Sequence, residues 1–242
     1  MENTAREWGA GLALCVVFFG FMWAYHDWWR GKTYTLATAN EACALAGLYG
    51  IALAYALGPL YRLHCLGERA VRWRRPVGVA AVGFAFAHMV VPFFPLSHKY
   101  GWTYFSVHWI TLALGVVAAL WLLILAVLSF RRAAVNISMA AWKRIQQWGL
   151  VLLPVIVVHY TVLGKVSKWI EWFGGKDPHP GPPGTLIGAG VVLLVVLLRG
   201  VDWTLRTQAQ TADGNDPLSS AMHAAPGVNA EPTRTGKPLE ES

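Results

Sequence analysis

Charge is what this 242-residue chain has least of: only 14% of its residues are Asp, Glu, Lys or Arg. Soluble domains carry about 25%, and the apolar residues here are clumped into long runs instead of alternating with polar ones. Together these features exclude an ordinary water-soluble domain and predict an integral membrane protein. Cysteine is scarce as well. Cys15, Cys43 and Cys65 stand far apart with no CxxC or CxxCH among them, which excludes a disulfide framework and covalent c-type haem attachment. No nucleotide-binding loop is present, because the glycines of GTLIGAG lead into an apolar run with no strand before them. Neither a catalytic triad nor a pair of carboxylates is visible. The net charge of +7 does not predict nucleic-acid binding, since the basic residues sit in short segments beside the apolar runs.

Six apolar runs are present, at about 9–25, 42–60, 76–95, 104–128, 147–164 and 186–205. Each is read as a membrane span, giving an all-α, six-helix bundle over 1–206. Tryptophans at the run ends (Trp8, Trp28, Trp102, Trp142, Trp148, Trp169, Trp172 and Trp203) suit interfacial anchoring. Six spans put both termini on one side with the 61–75 and 129–146 segments. That side holds twelve basic residues, among them Arg62, Arg69, Arg72, Arg74, Arg75, Arg132 and Arg199, against six on the other, Arg30, Lys32, Lys99, Lys165, Lys168 and Lys176. The positive-inside rule therefore places both termini in the cytoplasm, and explains Arg74 and Arg75 without further function, though the pair could still attract an anionic flavin donor. The polar, Pro- and Gly-containing stretch 207–242 is expected to be a disordered cytoplasmic tail. No internal repeat stands out.

Within the runs, polar groups are rare and therefore informative. The stretch GFAFAHMVV carries a single imidazole, His88, and the fifth run carries His159 as the one ionisable residue between its ends. A buried polar group without a partner costs roughly 2–7 kcal/mol, so such groups usually work or are hydrogen-bonded. The third and fifth spans cross in the same direction, with His88 twelve residues in from Pro76 and His159 twelve in from Gln147. At 1.5 Å per residue both lie about 18 Å from the inner surface. Two imidazoles at one depth on two helices can grip a group between them. Gly78, Ala81 and Ala85 share the face of His88 and would admit either a neighbouring helix or a flat macrocycle. Pro154, five residues before His159, can bend its helix. Zinc usually takes four protein ligands. Copper stays open but has no thiolate or methionine cluster to support it. Haem iron needs two axial ligands from the protein, so bis-histidine haem b fits this donor set best.

RRPVGVAAVGFAFAH (74–88) and WKRIQQWGLVLLPVIVVHY (142–160) resemble the two histidine-bearing segments of the ferric reductase-like transmembrane domain superfamily. The likeness covers about 42–165 and is nearest to the family of the haem-binding subunit of the periplasmic methionine sulfoxide reductase system. It implies haem b on the iron ligands His88 and His159, no flavin domain, and electrons carried outward to a partner reductase or small acceptor. The donor would be quinol or a separate cytosolic flavin reductase. Where the family pattern has a further histidine four residues after the tryptophan, this chain has Gln146 after Trp142. A second haem would lack that ligand; His64, at the inner end of the second span, could substitute or be an ordinary loop histidine.

His98, Lys99, Tyr100 and His108 on the outer side could hold propionates, bind a quinone or meet a partner, or serve as interfacial residues. His26, His179 and His223 lie near surfaces or in flexible segments and carry no argument. On this reading the chain is an electron-transfer subunit, not a self-contained enzyme. Two other readings stay open: a haem-free binding or assembly subunit of the same architecture, and a proton-coupled transporter. The lack of acidic or basic groups at the centre of the membrane speaks against the transporter.

Overall fold

In the computed structural model the described residues are 2–33, 35–131 and 137–212. They form ten α-helices joined by turns, with no strand among the described residues. The helices are α1 (Glu2–Trp28), α2 (Leu36–Arg62), α3 (Glu68–Arg72), α4 (Arg74–Val90), α5 (Trp102–Val107), α6 (Trp109–Arg131), α7 (Met139–Trp148), α8 (Leu152–Tyr160), α9 (Val166–Phe173) and α10 (Gly184–Ala212). The chain divides into two units, Met1–Asp202 and Trp203–Ser242. The described part of the second is the exposed helical end of α10, where Thr207 Oγ1 donates to the Trp203 carbonyl at 3.0 Å.

Five stretches are helical, long and apolar enough to cross a bilayer: Ala5–Trp28, Leu36–Arg62, Trp109–Ser129, Ala140–Phe173 and Gly184–Ala209. The third expected span differs. Helix α4 has 17 residues and ends at Val90, not near 95, and a run of turns follows. Pro92 and Pro95 lie in those turns, and a proline offers no N–H to extend the helical ladder. The fourth expected span is broken at His108 (φ −104°, ψ 33°), which separates α5 from α6.

The fifth is composite. Helix α7 begins with Ser138 Oγ accepting from Ala141 N at 3.2 Å, and a 3₁₀ turn at Gly149–Val151 leads into α8. A π-turn at Thr161–Lys165, with Gly164 at φ 83°, then joins α8 to α9. Pro154 falls in the first turn of α8, where a missing N–H costs least. The sixth span runs on to Ala212, so 207–212 are helical. The remainder of the expected tail, 213–242, lies outside the described residues, as do Arg132 and His223.

Helix α2 is the hub. In its apolar window 67% of residues are buried, against 22% in each of the other four. The others turn large side chains such as Val17, Phe21, Val117, Leu120 and Leu194 outward, as lipid-facing helices do. The approach of α4 to α2 is set by small residues. A Cβ on Gly50 would stand 2.6 Å from Ala81 Cβ, and one on Gly47 3.0 Å from Ala85 N. The small face beside His88 is thus occupied by helix α2, which settles the use of Ala81 and Ala85 as packing.

Candidate functional site

Helices α4 and α8 each end with a histidine in the last turn, His88 and His159. Each ring reaches back to the start of an earlier helix. His88 Nδ1 lies 3.2 Å from the Asn40 carbonyl near the beginning of α2, and His159 Nδ1 lies 2.9 Å from the Thr111 carbonyl near the beginning of α6. Both contacts span 48 residues of sequence. The two imidazoles therefore sit at one end of the bundle, where α2 and α6 start and α4 and α8 finish. They stand within electrostatic range of each other.

This hydrogen bonding decides the chemistry available. A carbonyl oxygen only accepts, so Nδ1 of each ring is the donor and carries the proton. In the neutral imidazole Nε2 then keeps its lone pair, the state of a metal-ligating histidine whose other nitrogen is held by a backbone oxygen. Among the described residues no three His, Cys, Asp or Glu side chains cluster as a metal site. A metal here would draw two ligands from this pair and the rest from a group it arrives with. Helices α4 and α8 are linked through α2 and α6, which both of them pack against. Two neutral imidazoles with Nε2 unprotonated are a donor set that would suit a metal bringing its remaining ligands with it, as in haem b.

Three residues support the rings without having stood out in the sequence. Gly115 of α6 makes room for His159: a Cβ there would be 3.0 Å from Cε1 and 3.3 Å from Nδ1. Asn40 and Thr111 supply the carbonyls and are both 6% exposed or less. Their own side-chain oxygens, Asn40 Oδ1 and Thr111 Oγ1, are buried with no hydrogen-bond partner. A buried unmade hydrogen bond costs about 1–3 kcal/mol, so the same end of the bundle holds two further polar atoms for a bound group to satisfy. The only signal available was Gly115 itself, the one glycine in the apolar run of α6.

The other candidates are spread out. His98 and Lys99 are exposed, with Lys99 Nζ 5.6 Å from the Tyr100 ring centroid. Tyr100, Tyr104 and His108 form a ladder of rings, with centroids 5.0 and 4.6 Å apart. His64 is exposed in the turn that ends α2, at φ 58°. Gln146 contributes its carbonyl, which accepts from the Tyr55 hydroxyl at 3.0 Å.

His26 corrects its sequence-based placement: it is buried, 4% exposed, and sits 3.9 Å from Glu41. Glu41 also pairs with Lys32, and with Lys165 at 3.9 Å. Cys15 is buried and Cys65 exposed, and all three cysteines are free thiols.

Next to this group the 174–183 loop is tied down. Arg30 binds Asp177 at 2.7 Å and the Gly181 carbonyl at 2.9 Å, and the Tyr25 hydroxyl donates to the Pro182 carbonyl at 2.6 Å. The hydrogen bond from Arg30 holds the Asp177 carboxyl below its ordinary range. Because the folded state favours the carboxylate, the stabilisation is complete above the ordinary value of about 3.9 and is lost as pH falls through the lower folded value. Melting temperature plotted against pH should therefore fall less steeply on the acid side for Asp177→Asn than for the natural protein. Parallel curves would show that the pair does not govern acid stability.

A search of protein-family models and of curated proteins found no match to this chain.

Proposed function

We propose that the protein is a membrane haem b protein of ferric reductase-like, six-helix type that carries electrons across a bacterial inner membrane. The acceptor is a small molecule or partner reductase at the outer face, and the donor is quinol or a separate flavin reductase. The observation that carries this reading is the pair of imidazoles, each donating Nδ1–H to a helix carbonyl and keeping Nε2 for a metal. The excess of basic residues on the loops around 61–75 and 129–146 supports cytoplasmic termini.

The bound group would supply one-electron chemistry. His88 and His159 would hold it through Nε2, with tautomer and ring plane fixed by Asn40 O and Thr111 O. Gly115 keeps the His159 ring at its carbonyl, and the apolar helices exclude water. Helix α4 ends within two residues of His88, at the end of the bundle where α2 and α6 begin.

The test is a dithionite-reduced minus oxidised spectrum of the purified protein beside His88→Ala and His159→Ala. A six-coordinate haem b spectrum in the natural protein, lost in either variant, is the expected result. A colourless natural protein, expressed with ample haem, would overturn the reading. That outcome would favour a haem-free assembly subunit, for which Gln146 speaks, since it stands where the resembled family pattern has a histidine.

A further inference from the structure

Pro59 lies inside α2 and has no N–H to give to the carbonyl of Tyr55, four residues earlier. Arg199 of α10 fills that place, its Nε donating to Tyr55 O at 3.1 Å. One residue before, Ala54 O accepts from Arg74 Nε at 3.1 Å. A third guanidinium, Arg62, is bound side-on by Asp202, with Nε to Oδ1 at 2.7 Å and Nη2 to Oδ2 at 2.6 Å. The Asp202 side chain is 2% exposed.

The three guanidiniums converge. A Cβ on Gly58 would lie 3.4 Å from Arg74 Nη1 and 3.6 Å from Arg62 Nη1, and Arg199 is within electrostatic range of both. Among the described residues Asp202 is the one carboxylate within that range, and it reaches Arg62 and Arg199 but not Arg74; the Tyr55 phenol faces Arg74 and Arg199, with Arg199 Cζ 5.6 Å from its ring centroid. Two positive charges are left without a counter-charge in a half-buried setting, where like charges repel more strongly than in water. The anchoring through Nε matters. It fixes the planes of Arg74 and Arg199 while their terminal amines stay available, the forked geometry that suits a tetrahedral oxyanion.

We propose that Arg74, Arg199 and the Nη1 edge of Arg62 form a phosphate-binding site at the end of the bundle opposite the histidines. It takes the phosphate group of an anionic phospholipid or a free phosphate ion. The site stands independently of the haem reading, since none of its residues touches His88 or His159.

The full chain in mild detergent is offered phosphatidylglycerol and phosphatidylcholine at equal concentration, and retained lipid is read by native mass spectrometry. In a second arm, inorganic phosphate is compared with chloride at matched ionic strength by thermal shift. Both arms use the natural protein, Arg74→Gln/Arg199→Gln, and Arg69→Gln/Arg72→Gln as a control for charge at the same end. The expected lipid result is a preference for phosphatidylglycerol that falls about fivefold per arginine removed in R74Q/R199Q and persists in R69Q/R72Q. Selective stabilisation by phosphate with the same variant pattern, and no lipid preference, assigns the site to the free ion. No selectivity in either arm, or equal losses in the two double variants, overturns the proposal. Should R74Q/R199Q fail to fold, Arg199→Lys replaces it: it keeps the charge, loses the fork, and is expected to lose most of the selectivity.

Discussion

Gly149→Ala is expected to cost the protein about 2–4 kcal/mol and to lower its melting temperature by many degrees. The 3₁₀ turn at Gly149–Val151 brings the backbone of the composite fifth helix against Tyr55 of α2. A Cβ on Gly149 would fall 1.8 Å from the Tyr55 hydroxyl oxygen and 2.8 Å from Leu125 Cδ1. Alanine's better helical propensity returns about 1 kcal/mol, too little against that overlap. The tyrosine would have to swing away and give up its 3.0 Å bond to Gln146 O. Thermal melts of the natural protein, Gly149→Ala, Tyr55→Phe and the double variant would form a cycle. Because the closest atom is the hydroxyl, Tyr55→Phe should recover part of the loss caused by alanine. Strict additivity of the two changes would show that the overlap is relieved elsewhere.

Gly115→Leu should produce the largest functional change that leaves the fold standing. Any Cβ at this position comes to 3.0 Å from His159 Cε1, and a leucine adds three more carbons in the same direction. The ring would be pushed off the Thr111 carbonyl, and Nε2 would no longer be presented in its present direction. If His159 is an axial ligand, the spectrum of Gly115→Leu should change from six-coordinate to five-coordinate while His88 still holds the group. Helical content by circular dichroism and elution as a monodisperse species should stay close to those of the natural protein. An unaltered six-coordinate spectrum would remove His159 from the ligand pair.

Much of this site could be read from residue counting. His88 and His159 each stand twelve residues from the start of an apolar run, and the structure puts both at one end of the bundle. The all-helical architecture followed from apolar runs alone. What could not be read depends on contacts between distant segments. Arg74 and Arg199 looked like topology signals, because nothing local says that Pro59 frees a carbonyl for one of them. His26 looked superficial because its cover comes from elsewhere: its Cε1 would lie 3.2 Å from a Cβ on Gly184, at the start of α10. The break at His108 and the π-turn at Gly164 are backbone events inside runs of uniform hydropathy. Hydropathy is blind to them because the side chains on either side remain apolar. The early end of α4 had a visible cause in Pro92 and Pro95, outweighed in the sequence by the apolar residues around them.

The rings of His88 and His159 are fastened to main-chain oxygens of neighbouring helices, not to mobile side chains. A ligand tethered in that way cannot tilt without moving a helix. In the proposed haem protein, a change of one unit of charge on a metal at Nε2 would leave the nuclei around it little freedom to respond. The reorganisation energy of that couple would be kept small, and a small reorganisation energy would let an electron move quickly across a modest drop in potential. A side-chain acceptor such as a glutamine amide in place of Asn40 O or Thr111 O would loosen the tether and slow that exchange at unchanged driving force.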